Sequence, residues 1–150
     1  MKRIEGVDGL RACVGSELGV SEWLEVDQAL VDRFADVTGD HQWIHVDPER
    51  AAESPLGGTI AHGLLVLSLG PRLSREIYEV TGFRLVLNYG YDKVRFPAPT
   101  PVGKRLRMRA RLAELTEVAG GVRIVVEQTY EVEGQEKPCC VATHVTQWMS

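Results

Sequence analysis

The sequence predicts an α+β fold in which one antiparallel sheet wraps around a central apolar helix. The segment 61–69 is apolar almost all round, which is typical of a helix that is buried on most sides. After Gly82 the period of the apolar residues switches to two, which indicates strands. We expect four of them, at Arg84–Phe96, Lys104–Thr116, Val122–Glu133 and Pro138–Trp148. A chain of 150 residues with ordinary composition is expected to form one domain, 1–150.

The first part of the chain predicts shorter elements. Apolar residues at helical spacing indicate an N-terminal helix, with Ile4, Val7, Leu10 and Val14 on one face. The segment Glu17–Val26 is expected to be the first strand.

Three helix boundaries follow from capping residues. Asp27 is placed to cap a helix with Leu30, Val31, Phe34 and Val37 on its apolar face, and Gly39 is placed to end it. Asp47 followed by Pro48 predicts a short helix to about Ala52. The pair Gly70–Pro71 is expected to kink or interrupt the apolar helix.

A row of arginines admits two interpretations. Alternation in the strand places Arg105, Arg107, Arg109 and Arg111 on one face, and its expected partner carries Glu127, Glu131 and Glu133. The favoured interpretation is a solvated sheet face with cross-strand Arg–Glu pairs. The alternative is a cationic patch for an anionic ligand such as the phosphates of coenzyme A.

Composition excludes some classes of function. The net charge of −4 gives no basic surface for nucleic acid, and no apolar run has the length of a membrane span. The start of the chain lacks the apolar core of a signal peptide, so the cytoplasm is expected. The three cysteines have no spacing that suggests zinc or a disulfide framework, and buried thiols are expected.

The stretch 39–52, GDHQWIHVDPERAA, concentrates titratable groups beside apolar ones. A metal site is the least favoured explanation, because His41 and His45 are not on one continuous helix and no third ligand stands at a characteristic spacing. In an acid/base site, Asp40 would deprotonate a water that the neutral imidazole of His45 orients. The third explanation is an ordinary capped turn, in which Asp40 only closes an Asx-turn.

An acid/base site also needs a group that polarises a substrate carbonyl. The segment GGTIAHGLL supplies a candidate, because backbone N–H groups at a helix start carry positive partial charge and Gly63 has no side chain to block them. Taken singly, His45 could be a core histidine and His62 a helix-start residue. These residues favour an acid/base site only when they are considered together.

Several segments in order then resemble the MaoC-like, R-specific enoyl-CoA hydratase family. The stretch FADVTGDHQWIHVDPERAA matches its signature at Phe34, Thr38, Gly39, Asp40, His45 and Ala51. The segments GGTIAHGLL and NYGYDKVRFPAPTPVGKRLR are similar to those that follow in the family. One departure is Gln42-Trp43 in place of the usual Asn-Pro, which is similar to the nodulation-protein-N-like branch.

The resemblance implies a hot-dog fold, a homodimer and hydration of trans-2-enoyl thioesters of coenzyme A or acyl carrier protein, without metal or redox cofactor. It implies that Asp40 and His45 activate the water and that the N–H of Gly63 stabilises the enolate-like oxygen. Gln42, Trp43 and His62 are expected to bind substrate. Two rival functions remain open: a hot-dog thioesterase, and a binding or regulatory module for acyl thioesters without turnover.

Overall fold

The computed structural model describes residues 1–150 and contains eight strands and six helices. In chain order the strands are β1 (Lys2–Glu5), β2 (Glu17–Val20), β3 (Leu24–Glu25), β4 (Tyr78–Thr81), β5 (Leu85–Arg95), β6 (Arg105–Val118), β7 (Gly121–Val132) and β8 (Cys140–Met149). The helices are α1 (Gly6–Cys13), α2 (Gln28–Thr38), α3 (Trp43–Val46), α4 (Pro48–Ala52), α5 (Gly63–Ser68) and α6 (Gly70–Ile77).

The four long strands are confirmed with bounds close to those predicted. Together with β2 they form an antiparallel sheet in the spatial order β2-β6-β7-β8-β5, and β3 also pairs with β6. The β6–β7 and β7–β8 hairpins place neighbouring strands side by side, whereas β5 reaches the far side of β8. Strand β5 is therefore an edge of the sheet.

The first quarter of the chain differs from the prediction in two places. The expected N-terminal helix begins only at Gly6, because residues 2–5 form β1 and pair in parallel with β4. Ile4 and Leu10 are both buried, so a strand and a helix together produced the helical spacing. The expected first strand is split into β2 and β3 at Ser21, whose hydroxyl accepts the N–H of Met108 at 2.9 Å.

Helices α5 and α6 form the central helix, and the expected interruption lies at Leu69 between them. One face packs into the core with Leu65, Val66, Leu69, Leu73 and Ile77. Gly70 permits close approach to the sheet, since a Cβ there would lie 2.6 Å from the hydroxyl of Tyr130. The opposite face is open in the single chain, where Leu64 is 62% exposed.

The arginine face of β6 forms the expected cross-strand pairs. Arg107 and Arg109 both bond Glu131, and Arg109 also bonds Glu17 of β2. The outer pairs are Arg105 with Glu133 and Arg111 with Glu127. Because carboxylates already neutralise the arginines, the interpretation as a paired, solvated face is confirmed over that of an anion-binding patch.

A chain of polar side chains lies in the sheet beneath the central helix. The hydroxyl of Tyr130 donates to Gln128 Oε1 at 3.1 Å, and Gln128 Nε2 lies 3.3 Å from His144 Nδ1. His144 Nε2 lies 2.7 Å from Asn88 Oδ1, and its ring stacks on Tyr91. The distances fit a neutral imidazole with its proton on Nε2.

No helix is both long enough and apolar enough to span a bilayer. The three cysteines, Cys13, Cys139 and Cys140, are free and buried, as expected from their spacing.

Candidate active site

Helix α2 and the turn that follows it place Asp40. The Asp27 carboxylate caps the helix by accepting the N–H of Leu30 at 2.8 Å. Gly39 ends it in the left-handed conformation, with φ of 77°, which glycine adopts without strain. The exposed Asp40 carboxylate accepts the N–H of Gln42 at 3.3 Å. The Asx-turn is therefore present, and one carboxylate oxygen remains available beside it.

Helix α3, a single turn at Trp43–Val46, places His45, although this segment was expected to be irregular. The His45 ring is buried, and its Nδ1 donates to the carbonyl of Ile60 at 2.7 Å. A neutral imidazole that donates through Nδ1 carries an acceptor lone pair on Nε2. Gln28 of α2 steadies the turn, since its Nε2 donates to the His45 carbonyl at 2.7 Å. The backbone thus sets both the tautomer and the position of His45.

His62 is the second buried imidazole of the site. Its Nε2 donates to the carbonyl of Asp40 at 3.0 Å, and its ring stacks on that of His45 with centroids 3.8 Å apart. Its Nδ1 is buried and has no hydrogen-bond partner in the protein. One carboxylate oxygen of Asp40 and one ring nitrogen from each histidine lie within 4.8 Å of one another. The sequence argument against a metal had found no third ligand near His45, and His62 is such a residue.

Gly63 begins α5 directly after His62. The first N–H groups of a helix have no intrahelical acceptor, so the N–H of Gly63 is available to a ligand. A Cβ at this position would lie 3.0 Å from the ring of Phe96, which packs over the glycine. A larger residue at this position would therefore press on Phe96, whose ring would have to move by a few tenths of an ångström.

Two pockets meet at His45 and Gly63. The first has a volume of about 300 Å³ and is lined by Phe34, Thr38, Asp40, His45, His62, Gly63 and Leu64. The second has a volume of about 290 Å³ and is lined by His45, Ile60, Ala61, Gly63, Phe96, Ala98, Pro99, Thr100 and Cys139. The structure thus brings four predicted site residues together, namely Asp40, His45, His62 and Gly63.

Two other predicted residues lie outside both pockets. Gln42 is exposed, and the half-buried Trp43 packs under the Arg50 guanidinium at 4.4 Å. Their proposed contacts with substrate stay predictions. His41 lies outside as well and bonds Asp36 at 2.9 Å. Asp47 accepts the N–H of Arg50 at 3.1 Å and caps α4, as expected.

Sequence reasoning missed the residues that approach from the Pro-rich segment after β5. Phe96, Ala98, Pro99 and Thr100 line the second pocket, and Cys139, just before β8, lines it as well. The only signal was the apolar and Pro-rich composition of that turn. Their contact with Gly63 depends on how the chain returns over the helix start, which no local pattern encodes.

Comparison with known proteins decides the family. Residues 11–136 match the family model described as the MaoC like domain. The chain belongs to the MaoC-like dehydratase family. Family membership makes it a hydro-lyase, as the sequence resemblance had indicated.

Two curated relatives of this MaoC-like dehydratase cover most of its length. The 3-hydroxyacyl-thioester dehydratase Z of Mycobacterium tuberculosis is 49% identical and is covered over 100% of both chains. Nodulation protein N of Rhizobium leguminosarum bv. viciae is 48% identical over 89% of this chain and 84% of its own. The branch that Gln42-Trp43 suggested is therefore represented among the relatives.

Solved structures establish the fold of this MaoC-like dehydratase. The R-hydratase PhaJ1 of Pseudomonas aeruginosa has a TM-score of 0.74 at 20% identity, covering 91% of this chain and 82% of that one. The (R)-hydratase of A. caviae has the same TM-score at 22% identity, and the match covers 89% of this chain and 94% of that one. The predicted hot-dog fold is confirmed.

Proposed function

We propose that this dehydratase catalyses the (R)-specific hydration of trans-2-enoyl thioesters to (R)-3-hydroxyacyl thioesters, together with the reverse dehydration. The observation that carries the proposal is that Asp40, His45 and Gly63 line one pocket, and that His45 and Gly63 also line a second. The relatives support the same reaction class, since one is named a 3-hydroxyacyl-thioester dehydratase and two structural neighbours are R-hydratases.

In the proposed reaction one water lies between the Asp40 carboxylate and His45 Nε2. Each group accepts one of its hydrogens, so the oxygen lone pair is directed away from both. The oxygen adds to C3, and Asp40 and His45 together take up the released proton. The same two residues return a proton to C2 from the same side of the double bond. Net addition of water balances the atoms, and no electrons are transferred to a cofactor. General acid–base catalysis of this kind requires only positioned side chains.

Gly63 has a separate part in the proposed reaction. Negative charge develops on the thioester oxygen as water adds, and the N–H at the start of α5 stabilises it. Since His45 and Gly63 line both pockets, a thioester with its carbonyl at Gly63 can extend its acyl and carrier arms into different spaces. The carrier of the proposed substrate is coenzyme A or acyl carrier protein.

The proposed enzyme is a homodimer. Edge strand β5 exposes apolar side chains along its length, with Leu85, Val86, Leu87 and Tyr89 between 46% and 59% exposed. Leu64 of the central helix is also exposed and lines the first pocket. A second copy would cover an apolar sheet edge that otherwise invites unspecific pairing.

The central test is an assay of crotonyl-CoA hydration, in which the rate is measured from the loss of the enoyl absorbance. We expect Asp40→Asn and His45→Gln each to lower kcat by about 10²–10⁴-fold, because each variant loses one positioned acid/base group. The double variant should cost about as much as the more damaging single one, since both groups act on one water. Thermal unfolding should show folded proteins throughout.

The control is His41→Gln, because His41 lies next to the site in sequence but bonds Asp36 and lines neither pocket. This variant should keep wild-type kcat. Near wild-type turnover in Asp40→Asn or His45→Gln would refute the assignment. Release of free thiol would instead indicate a thioesterase, and ligand binding without turnover would indicate a binding module. Chiral chromatography of the product checks the (R) configuration.

A further inference from the structure

The amide of Gln28, in the first turn of α2, forms three side-chain hydrogen bonds, two of them to segments that carry the candidate site. Its Nε2 donates to the carbonyl of His45 at 2.7 Å and to Asp32 Oδ1 at 2.8 Å. Its Oε1 accepts the hydroxyl of Thr59 at 2.7 Å. Carbonyl and carboxylate oxygens only accept, so the amide nitrogen has to face His45 and Asp32. The orientation of the amide is thereby fixed, and both of its hydrogens are used.

Thr59 belongs to the segment that orients the His45 ring. It is 7% exposed and stands one residue before Ile60, whose carbonyl accepts His45 Nδ1–H at 2.7 Å. The N–H of Ile60 in turn donates to the carbonyl of Ile44 at 3.0 Å. The Gln28 amide therefore bonds the main chain of His45 on one side and the segment that holds its ring on the other.

These two bonds are the hydrogen bonds that join α2 to this arrangement. No main-chain hydrogen bond links α2 to α3 or to residues 59–61. The other main-chain bonds of Thr59 and Ala61 run to Val102 and Thr100, in the segment before β6. The side chain of Gln28 thus makes a connection that the backbone of this region does not supply.

We propose that Gln28 and Thr59 are positioning residues for His45. The Thr59 hydroxyl fixes the Gln28 amide, and the amide holds the main chain of His45 so that its ring keeps the bond to the carbonyl of Ile60. The inference rests on the proposed function, in which His45 orients the reacting water. A misplacement of about 1 Å in a reacting group can cost about 10²-fold in rate, so a residue that acts only through His45 can still govern turnover.

The first test compares two substitutions of Thr59 in the crotonyl-CoA assay. Thr59→Val keeps the shape of the side chain and removes the hydroxyl, which leaves Gln28 Oε1 without this donor. We expect kcat to fall by about tenfold, because His45 is no longer held in one position. KM should change little, since no contact with substrate is removed. Thr59→Ser keeps the hydroxyl and should retain most of the wild-type kcat.

Substitutions of Gln28 test the other half of the pair. Gln28→Met removes all three hydrogen bonds and should lower kcat at least as far as Thr59→Val. Gln28→Glu keeps an acceptor for Thr59, but an ionised carboxylate cannot donate to the carbonyl of His45, so it should resemble Gln28→Met. Because Thr59 acts through Gln28, Thr59→Val added to Gln28→Met should lower kcat no further.

Thr146→Val is the matched control. Thr146 is also buried, and its Oγ1 accepts the indole N–H of Trp148 at 2.9 Å, so the same substitution removes a comparable hydrogen bond. Thr146 lies on β8 and lines neither pocket of the candidate site. This variant should have a lower Tm and an unchanged kcat.

Nuclear magnetic resonance of ¹⁵N-labelled histidine side chains observes the position of His45 independently of turnover. The wild-type ring should be the neutral tautomer with its proton on Nδ1, because the carbonyl of Ile60 can only accept. The signal missing from His45→Gln assigns it. In Thr59→Val and Gln28→Met the Nδ1–H tautomer should lose population, whereas Thr146→Val should give the wild-type signal.

Wild-type kcat in folded Thr59→Val would overturn the proposal, and so would an unchanged His45 signal in that variant. Thr59→Val keeps the test decisive if Gln28→Met fails to fold, because it removes a single hydrogen bond. An equal fall of kcat in Thr146→Val would also overturn it, since general loss of stability would then be the cause. If the wild type does not hydrate crotonyl-CoA, the proposed function fails, and the His45 signal still decides whether Gln28 and Thr59 position the ring.

Discussion

At the scale of single residues, the proposed chemistry depends on side chains that the main chain holds in place. His45 and His62 each donate to a backbone carbonyl, and Asp40 is oriented by the N–H of Gln42. The sequence could single out Asp40 and His45, because they lie five residues apart in one recognisable stretch. The stacking of His62 on His45 could not be predicted, because it depends on the loop that brings residues 60–62 back over α3.

His144 gives a residue-scale prediction about pH. Burial lowers the pKa of this imidazole below its ordinary value of 6.5, and it stays neutral between Gln128 and Asn88. In the unfolded chain it takes up a proton as pH falls through about 6.5, so the unfolded state binds more protons there. Stability should therefore fall as pH decreases below about 6.5, and Tm of His144→Asn should fall less than that of wild type.

A variant of His41 is expected to change the pH dependence of stability in the opposite direction, and it therefore serves as a control. The hydrogen bond to Asp36 raises the pKa of His41, so its stabilising contribution is present at low pH and is lost as pH rises. His41→Gln should therefore make the acid-side loss of Tm steeper, opposite to His144→Asn. Parallel Tm curves for wild type and His144→Asn between about pH 7.5 and 5.5 would contradict the prediction.

At the scale of elements, the caps of the site-bearing helices are open to direct measurement. Asp27→Ala removes the acceptor for the N–H of Leu30 at the start of α2. We expect a loss of about 1 kcal/mol in the free energy of unfolding, measured by urea denaturation. Arg33→Ala, on the exposed side of the same helix, should change it by less than about 0.5 kcal/mol. Equal losses in the two variants would show that the cap is not the cause.

Elements with strong local signals were predictable, and those fixed by distant pairing were not. Asp27 and Gly39 marked both ends of α2, and strict alternation marked the long strands. Strand β1 was missed because it exists through pairing with β4, some seventy-five residues away. The same long-range pairing ends α6 at Ile77, because Tyr78 begins β4 and pairs with Lys2.

At the scale of the whole molecule, the open edge of the sheet decides assembly. We expect light scattering to give twice the chain mass of 16.6 kDa, because β5 presents an apolar edge that a second copy would cover. Leu87→Lys places a charge on that edge and should shift the mass towards one chain. A wild-type mass of one chain at micromolar concentration would refute the dimer.

A matched control variant distinguishes a specific loss of dimer assembly from a general effect of placing a charge on exposed apolar surface. Val14 is 41% exposed, and its neighbour Gly15 bonds the carbonyl of Leu112 on β6. Strand β6 is separated from β5 by β7 and β8, so Val14→Lys should leave the mass unchanged.

The sequence could predict that a second subunit covers the apolar helix, but it could not show that β5 would be the edge strand of the sheet. That placement follows from the order of the sheet.

The carbonyls that hold the two imidazoles have a consequence for how the enzyme can evolve. His45 depends on the main-chain oxygen of residue 60 and His62 on that of residue 40, and every amino acid supplies such an oxygen. The side chain at Ile60, which lines the second pocket, can therefore be replaced without removing the bond that orients His45. Under the proposed function, mutational drift in that pocket can alter which acyl groups are accepted while the positions of His45 and His62 are inherited unchanged.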